Sequence, residues 1–326
     1  NRGRSVTLWQ GMWYIAASCT GLIILPFYFL DFGETLWRIA VGFGAVPALV
    51  ILLLRYMLMD ESPIWAASNE GLPAAGRILE KTYGIRVTVS VPASAQRAPA
   101  AAPNFSEIFT PKYRMRTILA SIICLTQSLE YFAVGFNLPS ISVKLFGSDF
   151  LYAILGAIFF NIFGIVGGFG GAFLTERIGV RRLAMIGYAL VIISLLALWS
   201  GGERMPLIAT AALLGLFVFG HSFGPGSQGM TMAALSFPTR IRGIGTGWGQ
   251  AMVRVGSILG FYFFPIVVAA AGLRSMLLYL ALVPLLGLIG ALAIAWEPAD
   301  HDVEDLASSG DTYLGAAPAI ASMQDR

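Results

Sequence analysis

Long apolar runs separated by short polar stretches dominate the chain, and several exceed the ~18 residues that mark a transmembrane helix. The pattern predicts eight membrane spans, at roughly 9–30, 36–58, 115–140, 150–174, 182–200, 206–234, 244–270 and 274–296. One long connection interrupts them. Its first part, DESPIWAASNEGLPAAGRILEKTYG from Asp60, reads as short surface helices; its second, VTVSVPASAQRAPAAAPN, is rich in Pro and Ala and reads as a flexible linker. The tail after Trp296, EPADHDVEDLASSGD, is acidic and reads as disordered. The implied fold class is an all-α polytopic membrane protein in four parts: two spans in 1–59, a loop in 60–114, six spans in 115–296 and a tail in 297–326.

Composition agrees with the pattern. Of 326 residues 57% are apolar and 12% charged, with a mean hydropathy of +0.75; a soluble domain carries about 25% charged residues. Charge placement adds orientation. Sixteen of the 21 Lys and Arg fall on one side of the predicted spans, four (Arg38, Lys144, Arg204, Arg274) on the other, and Arg254 inside the seventh span. The richer side is assigned to the cytoplasm, which puts both termini there; the expected location is a plasma (inner) membrane. Cys19 and Cys124 lie in apolar runs and read as small core residues. His301 among carboxylates reads as solvated. No metal spacing, cofactor motif, nucleophile–base pair or phosphate loop is visible, so neither an enzyme nor a metal or cofactor site is expected. The expected partners are a small molecule, protons and the lipid bilayer, with no nucleic acid and a monomeric state.

An internal repeat refines the architecture. RGRSVTLWQGM from Arg2 and RGIGTGWGQAM from Arg242 each open a span with Arg-Gly and place Gln eight residues after the Arg, so Gln10 corresponds to Gln250. Both copies enter the membrane from the same side, as in transporters made of two similar halves. The copies lie six spans apart. If each half has six spans, the chain holds the last two of one half and all six of the other, with four spans preceding it.

Several motifs then converge. DESPIWAASNEGLPAAGRILEKTYG resembles the Pro-Glu-Ser-Pro-Arg segment that follows the sixth helix in sugar-porter-like members of the major facilitator superfamily. GGAFLTERIGVRR, ending at Arg182, resembles that superfamily's Gly-x-x-x-Asp-Arg-x-Gly-Arg-Arg loop, and SFPTRIRGIGTG from Ser236 resembles its Phe-Pro-Thr-Arg-x-Arg-Gly turn. With WRIAVGFGAVPALVILL the resemblance covers nearly all of the chain except linker and tail, and it implies helices five to twelve of a twelve-helix bundle. It also implies ion pairs that hold the cytoplasmic side shut, from Glu176, Arg177, Arg181, Arg182, Arg240 and Arg242, with Glu61 a partner on the other loop. Asp60, Ile64, Glu176, Val180 and Leu235 depart from the family pattern, which thins that network.

Glycines fit a transporter. GIVGGFGGAF puts Gly164/Gly168 and Gly167/Gly171 on adjacent faces, allowing close packing. GHSFGPGSQG, with Gly224, Pro225 and Gly226 at its centre, predicts a kink, either a gate that bends or a static kink filled by neighbours.

The candidate chemistry centres on Glu130. A charge at mid-bilayer costs ~2.5–3.5 kcal/mol even on the lenient insertion scale, so it must face a cavity or a partner. Gln127, Glu130, Val134 and Asn137 share a helical face, as do Thr246, Gln250, Arg254 and Ser257; His221 and Asn161 fall near mid-span. Four helices thus bring polar groups to one depth. Glu130, with His221, is assigned proton coupling; Gln10, Gln127, Asn137, Asn161, Gln250 and Arg254 are assigned substrate binding. Arg254 reads as an anion clamp or as the partner of Glu130, and the bland alternative is a permanent Glu130–Arg254 pair that only fixes packing.

Substrate class follows from departures. The resemblance matches Gln10 to a sugar-porter Gln of the fifth helix. In the seventh helix Gln127 survives while Glu130 replaces a Gly and Phe132 an Asn; Ser227, Gly229, Met230 and Met252-Val253 replace further site residues. Trading neutral hydrogen-bonding groups for charge favours an organic acid carried with protons. A sugar or polyol transporter is the alternative, and a transport-dead receptor or scaffold a third reading.

Overall fold

Seven helical stretches are long and apolar enough to cross a membrane, and among the described residues every regular element is helical. The computed structural model describes residues 2–30, 32–87, 103–147, 149–301 and 303. The Pro/Ala-rich linker expected at 87–104 lies mostly outside them, as does the tail from residue 304 onward.

The eighth predicted span is hidden in the last stretch. α12 runs Thr239–Ala293, 55 residues, or ~83 Å at ~1.5 Å per residue against a ~30 Å hydrocarbon core. Gly272 (φ 80°, ψ 161°) breaks its helical path, so α12 is two membrane rods. Residues other than Gly rarely adopt that φ.

The chain divides into two compact units, one of residues 1–25 and 103–326, the other of residues 26–102. The smaller unit holds the end of α1 (Arg2–Phe29), then α2 (Leu36–Phe43), α3 (Ala45–Leu58), α4 (Pro63–Asn69) and α5 (Leu72–Tyr83). Ser62 caps α4 by accepting from the Trp65 N–H at 3.1 Å. The α4–α5 hairpin buries Ala66, Ala74 and Ala75. Lys81 donates to Asp60 at 2.7 Å and holds that carboxyl below the usual range.

The larger unit contains the rest of α1 with α6 (Arg114–Val134), α7 (Leu138–Phe146), α8 (Phe150–Ile178), α9 (Val180–Gly201), α10 (Leu207–Phe223), α11 (Pro225–Leu235) and α12. The predicted 115–140 span is continuous only to Val134; a 3-10 turn, Gly135–Asn137, links it to α7.

Glycine sets the spacing of these helices. On one face of α8, Gly164 lies against the Tyr14 ring and Gly168 against the Gly11 backbone; on the next, Gly167 and Gly171 lie against the carbonyls of Phe219 and Phe223. One helix therefore packs closely against both α1 and α10. α6 and α12 use the same device, with Gly256 and Gly260 against the Leu125 and Leu129 carbonyls, and Ser128 Oγ donating to Val253 O at 2.6 Å.

The helix of the sixth predicted span breaks at Gly224, between α10 and α11. Pro225 has no N–H, so the carbonyl four residues back, that of His221, loses its helical partner. Ser227 Oγ donates to the carbonyls of Phe223 and Gly224 at 3.2 and 3.1 Å, covering others at the break. Gly187 on α9 touches the backbone of Gly220 and Gly224 with no room for a Cβ. Gly187→Val is expected to cost ~1–3 kcal/mol through overpacking, read as a lowered midpoint of thermal unfolding in detergent. Gly243→Ala, where a Cβ meets nothing within 4 Å, is expected to leave that midpoint nearly unchanged.

Candidate functional site

A carboxylate cannot stay buried in apolar surroundings without a partner. Glu130, 0% exposed on α6, finds His221 on α10, with Oε1 3.1 Å from Nδ1. One proton lies between the two atoms, donated by the imidazole or by the carboxyl according to which holds it. The Tyr131 ring stacks on the imidazole at 4.6 Å and 23°. Across the helix break, Gly226 leaves the space that His221 Nε2 occupies. Glu130 Oε2 has no hydrogen-bond partner among the described residues.

The Glu130–Arg254 pair considered from sequence does not form in the structure. Arg254 is exposed on α12, and among the described residues no carboxylate pairs with its guanidinium. Gln250, one turn away, is exposed on the same face. An ionised guanidinium halfway along a membrane helix is costly against hydrocarbon, so this face meets protein, water or a ligand.

The other sequence candidates divide. Gln10 is 4% exposed on α1 with its Oε1 unpartnered, and it lies one turn from Tyr14, whose ring is 6.0 Å from that of Tyr131. Gln127 is buried but donates to Cys124 O of its own helix at 3.3 Å. Asn137 likewise donates to Ala133 O at 2.8 Å. Asn161 is buried on α8, one turn from the Tyr14 contact at Gly164. Hydroxyls and an amide not singled out in the sequence join α1, α8 and α11 nearer the basic end. Thr7 and Thr231 hydroxyls meet at 3.0 Å, and Gln228 Nε2 donates to Thr175 Oγ1 at 3.0 Å. Their signal in the sequence was weak, because Thr and Gln recur throughout the spans.

The basic loops gather at one end of the larger unit. Glu176 accepts from the Arg4 N–H at 3.1 Å. Glu107 pairs with Arg240. Arg242 Nε donates to Phe237 O at 3.3 Å, Arg182 Nη1 to Ile178 O at 3.5 Å, and Arg177 is exposed. Arg181 Nη1 donates to Ala291 O at 3.0 Å. The tail residue Glu297, expected in a disordered segment, is 6% exposed and accepts from the N–H groups of Val180 and Arg181 at 2.8 and 2.9 Å. Its position is fixed because those N–H groups open α9 and have no partner in the helix. His301, expected to be solvated, stacks on Trp296 at 4.8 Å. Glu61 belongs to the smaller unit and is exposed. A cavity of about 410 Å³ opens at this end, bordered by Arg2, Glu176, Arg242 and Asp300; it does not include the Glu130–His221 pair.

The family model described as "Sugar (and other) transporter" matches residues 1–297. The chain is 27% identical over 286 residues to the inner membrane metabolite transport protein YgcS of Escherichia coli K12, covering 87% of this chain and 60% of that protein. It is 26% identical over 278 residues to the glucose transporter GlcP of Staphylococcus epidermidis, covering 83% and 61%. In structure it is similar to the major facilitator superfamily proton:xylose symporter XylE bound to 6-bromo-6-deoxy-D-glucose. The TM-score is 0.69 at 17% identity, covering 94% of this chain and 66% of that one. The chain thus spans about three fifths of the length of the curated relatives it matches.

Replacing Glu297 by Ala leaves two N–H groups at the start of α9 unpartnered and is expected to cost ~1–2 kcal/mol of stability. Glu297→Gln keeps one acceptor oxygen and is expected to lose less; the midpoints of thermal unfolding of the two variants, compared in detergent, check the order.

Proposed function

The chain belongs to the sugar (and other) transporter family of the major facilitator superfamily, and on that premise we propose that it is part of a secondary transporter carrying a small organic anion together with a proton. The protein is multi-pass and integral to the membrane. We place it in an inner membrane with the basic end of the larger unit toward the cytoplasm, because basic loops are retained on that side.

The reading rests on one observation: the two ionisable groups at mid-span are kept apart. Glu130 is sealed against His221, where one proton decides the charge of the pair. Arg254 is exposed, and among the described residues no carboxylate pairs with it. A guanidinium able to take an anion and a separate proton-holding pair are what symport of an acid requires. Loading one carboxylate at Arg254 and one proton at Glu130–His221 moves no net charge, so the cycle is electroneutral at 1:1 stoichiometry. Alternating access follows from bending where α10 meets α11, the broken-helix arrangement of transporter sites. A second reading, sugar transport, is favoured by the similarity to the glucose transporter GlcP and the proton:xylose symporter XylE and by the buried amides of Gln10 and Gln127.

Two predictions separate them. In liposomes holding the full-length protein and a trapped pH dye, addition of a transported carboxylate is expected to acidify the lumen. Glu130→Gln is expected to abolish that signal by at least tenfold while leaving counterflow of labelled substrate measurable. Uptake of a neutral sugar without proton movement, unchanged in Glu130→Gln, would sink the acid reading. Lowering external pH is expected to raise carboxylate uptake, because protonation of the outward-facing pair precedes translocation; a clamped membrane potential of either sign is expected to have no effect on the rate.

A further inference from the structure

The chain that leaves the last span turns back onto the helix ends. Trp296 is buried, and its Nε1 donates to Ser236 Oγ at 2.9 Å. Arg116, near the start of α6, lies with its guanidinium carbon 3.9 Å from the Trp296 ring centre and donates through Nη1 to Ser236 O at 3.1 Å. Ser236 is the residue that closes α11. Indole and guanidinium therefore both hold the end of the half-helix that follows the break at Gly224. Glu297 fixes the next residue to the start of α9 through the Val180 and Arg181 N–H groups. Residues 296 and 297 thus tie α6, α9 and α11 together. Each of these contacts is made by buried groups, so none depends on a surface that further helices could cover.

One member of this strap can change its charge. After a 3-10 turn, Pro298–Asp300, His301 stacks on Trp296 at 4.8 Å and 26°. The charged groups around the imidazole come from four other places. Asp300 precedes it in sequence and Arg116 of α6 sits on the same indole; Arg2 of α1, Glu176 of α8 and Arg242 of α12 border the same cavity as His301. The Glu297 carboxylate is turned to α9. Arg116 is 3% exposed, its Nη2 is unpartnered, and among the described residues no carboxylate pairs with it. A second cation on the indole would meet that uncompensated charge.

Burial pushes the His301 imidazole below its ordinary value; Asp300 opposes the fall and Arg116 adds to it. A neutral imidazole docks, and an imidazolium is penalised. Docking is therefore at full strength above the ~6.5 at which a free imidazole titrates, and it weakens as pH falls below that. Release uncovers the indole that anchors Ser236 and opens one wall of the cavity.

We propose that Trp296–His301 is a pH-operated strap, which holds the end of α11 while His301 is neutral and lets go when His301 is protonated. On the orientation given above it reads cytoplasmic pH, so acid on that side frees the half-helix that bends. Release by acid stands without the symport reading, since neither Glu130 nor a substrate takes part.

A nitroxide attached after Val303→Cys, two residues past His301 on the wall of the same cavity, reads the strap in full-length protein in detergent, with the exposed Cys19 replaced by Ser. The ratio of mobile to immobile label is expected to rise several-fold between pH 7.5 and pH 5.5, with ~tenfold the ceiling for a free imidazole titrating at ~6.5. His301→Phe keeps a ring on the indole but gains no charge, and is expected to give the same ratio at both pH values. Asp300→Asn removes the carboxylate that opposes release and is expected to enlarge the rise, which a folding defect present at both pH values would not do. Glu130→Gln is expected to leave the response unchanged, separating the strap from the proton pair. No rise with acid, a rise of equal size in His301→Phe, or loss of the response in Glu130→Gln overturns the proposal.

Discussion

The constraint on which the larger unit depends is the burial of Glu130. A carboxylate with no exposure, placed mid-span, needs a partner from another helix, and that partner must be held at hydrogen-bond distance. The local chain provides for this. Pro225 opens the helix just past His221, Gly226 leaves space for the imidazole, and Tyr131 covers its face at 4.6 Å. Gly187 lets α9 support the break by direct backbone contact. A kink that would otherwise weaken α10 and α11 thus positions the one side chain that makes Glu130 tolerable.

Glycine in α8 carries that arrangement to α1. Because Gly167 and Gly171 admit the backbone of α10 and Gly164 and Gly168 admit α1, the helix of His221 and the helix of Gln10 are separated by little more than one helix width. Larger side chains at those four positions would push both helices outward. Tyr14 could not then approach Tyr131. Packing and site geometry are set by the same residues.

Much of this was legible in the sequence. Apolar run length marked the spans, since the cost of exposing backbone or charge to lipid leaves few alternatives, and the eighth span appears once Gly272 is seen to divide α12. The adjacent glycine faces of α8 followed from helical periodicity alone. Pairing did not. The choice of His221 over Arg254 as the partner of Glu130 depends on which faces of α6 and α12 meet, and nothing in either helix states that by itself. The role of Glu297 escaped for another reason. Its segment is acidic and follows the last span, which is the composition of a solvated tail, yet the open N–H groups of α9 lie close enough to capture its carboxylate. Asn137 had the right spacing for a site residue, but its amide returns to its own helix.

Why Glu130 and Arg254 do not meet can be argued from rotation alone. α6 turns Leu125, Ser128 and Leu129 toward α12, as the Gly256, Val253 and Gly260 contacts show. Glu130 is two residues from Ser128, about 200° around the helix. Arg254 is two residues from Gly256, again about 200°. Each charge therefore points away from the shared interface, Glu130 into the bundle and Arg254 to the other side of α12. Had they paired, each charge would have cancelled the other. The α6–α12 contact keeps them separate, so the site depends on where the two charges point as much as on their presence.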